Sequence, residues 1–177
     1  MKSIFFDEID NTQDFAINEF KKEPLLIVSK VQTSGRGTNQ NKWQNADQSL
    51  ATSLVFNKKI ISFTKTLIPL LAGYSYVSLV KNKNLKLKWP NDIIFKNDKV
   101  GGVLVEENNE LVCIGLGVNY FWENPSLPGA GAIYDEKQDD QKIFQDAEEW
   151  GRTILNYIKN EDFSLENYTS KLTTLGK

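Results

Sequence analysis

The sequence predicts an α+β fold, a mixed β-sheet backed by helices, on three observations. Short apolar runs with strand character open the chain and fill its middle. Two stretches with helical spacing lie at 62–80 and 140–160, to one side of those strands. No repeat, linker or composition shift divides the 177 residues. With 40% hydrophobic content, ten Phe, six Tyr and four Trp, a single domain over 1–177 can bury a core of its own.

Taken in order, residues 3–9 read as an edge strand, and Asp10-Asn11-Thr12 supply N-cap chemistry for a helix to about Lys22 with Phe15, Ile17 and Phe20 as apolar positions. Residues 25–31 form a buried strand. The stretch from Gln32 to Trp43 is polar, glycine-punctuated and too long for a tight hairpin, the character of a functional loop. Residues 49–56 follow as a strand with small residues on one face. Residues 62–80 read as one long helix with Phe63, Leu67, Leu70, Leu71, Tyr74 and Leu79 on its buried side. Leu85, Leu87 and Trp89 alternate with Lys86 and Lys88, a strand with one buried face that Pro90 ends. Asn91-Asp92 make a turn, Ile93 to Phe95 a second strand, Asn97-Asp98 a hairpin, and Val100 to Val105 a third strand whose start Gly101-Gly102 loosen. Residues 111–118 are a buried strand ending at Asn119. Residues 120–133 are irregular and rich in Pro and Gly, and helices at 140–160 and 163–173 finish the chain.

Composition excludes several chemistries. The chain has no histidine, which removes Ser-His-Asp and Cys-His catalysis, His-ligated zinc and the usual general base near neutral pH. Catalysis must run on Lys, Arg, carboxylates, backbone donors or a bound ion. The net charge of -2 gives no nucleic-acid footprint, so DNA is disfavoured as a partner. One cysteine, Cys113, sits in an apolar run and reads as a buried hydrophobe in a reducing compartment. No segment has the length of a membrane span and no signal peptide opens the chain, so the cytoplasm is the expected location and a membrane partner is not expected.

Two stretches carry candidate chemistry. Gly35-Arg36-Gly37 offers close backbone approach and a permanently charged fork donor suited to phosphate or carboxylate, although a solvated surface loop reads the same way. Neither it nor Gly115-Leu116-Gly117 completes a nucleotide-binding fingerprint. Lys88-Trp89-Pro90-Asn91-Asp92 combines a core-like tryptophan with turn residues, yet it brings Lys88, Asn91, Asp92 and Lys99 within one hairpin-sized unit. Asn119 closes the next apolar strand and can join them.

In this order the motifs resemble the catalytic domain of biotin protein ligases, within the biotin and lipoate protein ligase superfamily. The resemblance rests on Asn11-Thr12-Gln13; on Gln32 and the loop from Gly35 to Trp43; on Lys88 to Asp92; on Lys99 to Glu106; and on Ile114 to Asn119. It implies a class II synthetase-like domain that joins biotin to a lysine of a biotin carboxyl carrier protein domain of acetyl-CoA carboxylase. The route is through biotinyl-5'-AMP, with ATP and biotin as substrates and Mg²⁺ as the ion. By motif matching, Lys99 and Arg36 are the catalytic pair, with Lys99 on the ureido carbonyl or the nearby carboxylate end of biotin. Asn11, Thr12, Gln13 and Gln32 meet the head of biotin, Arg36 with Gly37 its carboxylate and the α-phosphate, and Thr38, Trp43 and Gly102 complete that subsite. Lys88, Asn91, Asp92 and Asn119 face ATP, with Asp92 as the metal ligand. The expectation is a catalytic domain alone, with no helix-turn-helix module ahead of it and no C-terminal β-barrel after it. Relatives often dimerise through sheet edges, and a homodimer is compatible with the resemblance. The same superfamily offers a lipoate or octanoate ligase or transferase as the alternative. The family loop normally carries arginine at the positions of Thr38 and Asn41, and that departure implies weaker retention of the adenylate, at the limit a biotin-binding paralogue with little turnover.

Overall fold

Strands β1 (Lys2–Ile9) and β2 (Leu25–Gln32) run parallel because α1 (Thr12–Glu19) carries the chain back between them. Every later pairing is antiparallel: β3 (Gln48–Asn57), β4 (Lys86–Lys88), β5 (Asp92–Phe95), β6 (Asp98–Glu107) and β7 (Leu111–Phe121) complete a seven-stranded mixed sheet in the order β1-β2-β3-β7-β6-β5-β4. The computed structural model describes all residues except 39–40, 62–64, 81–83 and 174–177.

The two faces of the sheet are covered unequally. Leu26, Val28, Leu54, Phe56, Ile114, Leu116 and Val118 alternate to one side, where α2 (Ile68–Leu79) and α3 (Asp140–Asn160) bury them in the main core. Trp150 of α3 is wholly buried there, and its Nε1 donates to the Ala72 carbonyl at 3.0 Å. Leu25, Ile27, Val55 and Cys113 point the other way and pack under Ala16 of α1. Helices thus lie on both faces, contrary to the one-sided arrangement the sequence predicts. The eight-residue α1 covers only part of its face, and the candidate site lies beside it.

Other departures have local causes. The helix expected over 62–80 begins at Ile68 after a 3-10 turn at Lys65–Leu67, because Pro69 lacks an N–H and fits only the first turn. Ser62 and Phe63 lie outside the described residues. Held between sheet and α3, α2 buries Ile68, Leu71, Ala72, Tyr76 and Val77, while Leu70, Tyr74 and Leu79 are only partly covered. Trp89 is 67% exposed where the sequence predicts a buried position, because β4 stops at Lys88 and Trp89 opens the turn into β5. Gly101 does not loosen β6: a Cβ there would meet the Gly117 carbonyl at 2.8 Å, so the residue lets two strands approach. β7 runs past Asn119 to Phe121, anchored by the buried Tyr120. The last helix is short, α4 (Leu165–Thr169). Beyond it Leu87 N donates to Lys171 O at 2.8 Å and Thr173 N to Leu87 O at 2.9 Å, covering the β4 edge. Among the described residues no helix is long and apolar enough to cross a membrane.

Candidate active site

The sheet register places the motif residues on one face. Ser29 pairs with Ala51, Ala51 with Gly117, Gly117 with Gly102, Gly102 with Asp92, and Asp92 with Lys88. Directly opposed residues share a face, so this row crosses six strands on the side that carries α1. Its middle is bare: Ala51 and two glycines leave a shallow trough between α1 and the β4–β5 turn. Gly115, two residues before Gly117, extends it.

Three segments wall that trough. Asn11 caps α1, its Oδ1 accepting from Gln13 N at 2.9 Å and Asp14 N at 3.1 Å while its Nδ2 donates to Ser34 O at 3.0 Å. Gln32 Oε1 accepts from both Thr12 N (2.8 Å) and Thr12 Oγ1 (2.9 Å), and Thr12 Oγ1 lies 2.8 Å from Ser53 Oγ. These bonds fix the buried Asn11, Thr12 and Gln13. The glycine loop forms the second wall: Arg36 and Lys42 bridge antiparallel, Trp43 N donates to Gly35 O at 2.9 Å, and the Trp43 ring lies on Gly117, where a Cβ would stand 2.8 Å from the indole. The third wall is Lys99, whose Nζ is 2.5 Å from Asp92 Oδ1 and whose backbone pairs with Ala130.

The walls enclose a cavity of about 140 Å³. All ten residues expected around biotin line it: Asn11, Thr12 and Gln13; Gln32, Arg36, Gly37 and Thr38; Trp43, Lys99 and Gly102. Of the residues expected around the nucleotide, Asn91 lines it, its Nδ2 donating to Val103 O at 2.8 Å. Asp92 stands behind it on Lys99. Lys88 and Asn119 are not in its lining. Lys88 is exposed at the end of the cross-strand row, and Asn119 is buried, with Nδ2 donating to Gly131 O at 2.9 Å. Asn119 Oδ1 and Trp43 Nε1 are buried without a hydrogen-bond partner, which marks both as groups able to engage a ligand.

Arg36 is engaged by carboxylates of the protein. Arg36 lines the trough, and its guanidinium donates to Asp14 and Glu106 through four of its five N–H groups. The Arg36 hydrogen bond, working against burial, holds the Asp14 carboxyl below its usual range, while Asp14 and then Glu106 raise Arg36 further. No group of three or more His, Cys, Asp or Glu able to hold a metal occurs among the described residues, so Asp92 is a single carboxylate, suited to an ion that arrives with phosphate oxygens of its own. Gly115, Leu104 and Thr52 also line the cavity. The period-two spacing of Gly115 and Gly117 is the signal that locates the floor in sequence.

Residues 5–119 match the family described as "Biotin/lipoate A/B protein ligase family", about two thirds of the chain. The chain belongs to that family. Among members of the biotin/lipoate protein ligase family, it is similar to biotin–protein ligase 2 of Arabidopsis thaliana, with 26% identity over 67% of this chain and 40% of the relative. It also resembles the bifunctional ligase/repressor BirA of Bacillus subtilis, with 30% identity over 71% of this chain and 42% of the relative. The matched part therefore covers less than half the length of these relatives. In fold it is similar to the biotin protein ligase of Aquifex aeolicus solved with biotin and ATP, at TM-score 0.84 and 26% identity over 99% of this chain and 80% of the other. It is likewise similar to the biotin acetyl coenzyme A carboxylase synthetase of Helicobacter pylori solved with biotinylated ATP, at TM-score 0.75 and 27% identity over 96% and 78%.

Proposed function

We propose that this chain is a biotin protein ligase catalytic domain that attaches biotin to a lysine of a biotin carboxyl carrier protein through biotinyl-5'-AMP. The observation that carries the proposal is the convergence of motif residues from three separate segments, 11–13, 32–43 and 99–102, on one trough with neutral hydrogen-bonding groups beside α1 and a lysine on the opposite wall. An uncharged head with a carboxylate tail matches that polarity. The names of similar proteins agree: one relative, from Paracoccus denitrificans, is a biotin–[acetyl-CoA-carboxylase] ligase, which points to the carboxylase carrier domain as acceptor.

The chemistry needs no protein nucleophile. A biotin carboxylate oxygen attacks the α-phosphorus of ATP and pyrophosphate leaves. The carrier lysine amine then attacks the acyl carbon, AMP leaves, and the amine gives up its proton. The chain supplies alignment and charge stabilisation. In this reading Thr12, Gln13 and Gln32 orient the head, Trp43 and the glycine floor wall it, and Lys99 meets the carboxylate. Lys88, Asn91, Asp92 and Asn119 take the nucleotide, with Asp92 the protein ligand of Mg²⁺. When bound with ATP, that ion neutralises triphosphate charge. In this reading the enzyme acts in the cytoplasm. Biotin-dependent ATP–pyrophosphate exchange tests the proposal: exchange that requires biotin and is not supported by lipoate agrees with it, and exchange driven by lipoate or octanoate favours the alternative. Binding of biotin with no exchange favours a paralogue with little turnover, the reading that Thr38 and Asn41 motivate.

A further inference from the structure

Arg36 is the most heavily engaged side chain at the site, and its partners are carboxylates of the protein. Nη1 and Nη2 donate as a fork to Asp14 Oδ2 and Oδ1 at 2.8 and 2.6 Å. Nε and Nη2 donate to Glu106 Oε1 and Oε2 at 3.2 and 2.8 Å. Four of the five guanidinium donors are thus used. One positive and two negative charges leave this corner net negative, so an incoming carboxylate or phosphate is repelled here and attracted to the Lys99 wall. Behind the bridge lies a second hollow of about 140 Å³ against Ile17, Leu111 and Cys113, which makes the bridge a partition and not an open anion site.

Glu106 does a second thing. Its Oε2 accepts from Gln13 Nε2 at 2.6 Å. A carboxylate has only acceptors, so it can take the NH₂ end of that amide and not the carbonyl end. The amide orientation is therefore dictated, and Gln13 Oε1 is turned over the floor, where it is the first atom that a Cβ on Gly115 would meet. An amide free to flip would offer a donor or an acceptor with equal ease; this one offers an acceptor.

We propose that Arg36 is a positioning residue: it holds Glu106 so that Gln13 presents a fixed acceptor to an N–H of the ligand's head, and it does not bind the anionic end. The inference rests on the reading of the trough as the biotin site and adds the device by which a cyclic urea, which has N–H groups, is distinguished from a ring that has none.

The test uses Arg36→Lys, Glu106→Gln and the double variant, with biotin Kd measured by calorimetry without nucleotide, ATP KM measured by exchange, and folding followed by thermal unfolding. Glu106→Gln, which can accept or donate, releases the Gln13 amide and is expected to weaken biotin about tenfold, with ATP KM within about twofold of wild type. Arg36→Lys is expected to weaken biotin less, because an ammonium still holds Glu106. The double variant is expected to be no weaker than Glu106→Gln alone, since both act through one contact. A rise in ATP KM with unchanged biotin Kd in Arg36→Lys overturns the proposal, as do additive losses in the double variant. A wild-type protein without biotin affinity overturns the functional reading itself; a wild-type that binds, with variants that bind equally well, overturns only the role given to Arg36.

Discussion

Lys99→Ala separates the contribution of one cation from that of the fold. Lys99 Nζ lies 2.5 Å from Asp92 Oδ1, with the two side chains 46% and 23% exposed. Loss of a hydrogen bond to a charged ligand group costs about 1.5 to 3 kcal/mol. The variant also leaves Asp92 without its counter-charge, facing an anion. At about 5 Å in a well-solvated trough that repulsion adds roughly 1 kcal/mol. Together the terms weaken biotin on the order of 100- to 1000-fold. Removing the repulsion as well, in Lys99→Ala/Asp92→Asn, should recover about fivefold. Calorimetric titration of biotin without nucleotide or magnesium reads both values free of any role Asp92 has toward ATP. Thermal unfolding should hardly move, because a half-exposed ion pair stabilises by no more than about 1 kcal/mol. A single variant within threefold of wild type, or a double variant no tighter than the single, refutes the assignment of Lys99 to the carboxylate.

Three further outcomes follow from the same geometry. Thr38→Arg restores a charged donor at a position lining the trough and should slow release of biotinyl-AMP about ten- to a hundredfold; an unchanged off-rate shows that residue 38 does not meet the adenylate. Tyr120→Phe removes a buried hydroxyl that donates to Asp146 at 2.6 Å and accepts from Tyr76 at 3.1 Å, so urea unfolding should show a loss of about 1 to 3 kcal/mol, and a neutral result means the network is slack. Asp14, held below its usual pKa by Arg36, contributes stability that is fully present above its unfolded pKa of about 3.9 and is lost as pH falls through the lower folded value. This share of stability should stay constant from neutral pH to about pH 5 and fall away below about pH 4, a fall that Asp14→Asn should remove.

Much of this arrangement is legible in sequence because it is local or periodic. Asn11 caps α1 as its residue type predicts, the strands fall within a few residues of their apolar runs, and α3 spans 140–160. What fails is what depends on distant partners. Alternation marks Trp89 as buried because a two-residue period cannot register that the chain leaves the sheet at Lys88. The helix spacing of α1 shows an apolar stripe but not which face of the sheet receives it. Arg36 reads as an anion ligand from its glycine neighbours, whereas its carboxylate partners lie 22 and 70 residues away. Pro69, by contrast, is a readable helix start that apolar spacing alone overrides.

In the proposed function a lysine and a set of oriented amides, without an acid–base shuttle, bring two anions together and pass the activated acyl group to an amine. Mass spectrometry of a biotin carboxyl carrier domain incubated with the protein, biotin and ATP tests it most directly. The expected result is one added biotinyl group on a single lysine, only when ATP is present. An unmodified carrier, in a protein shown to bind both substrates, would contradict it.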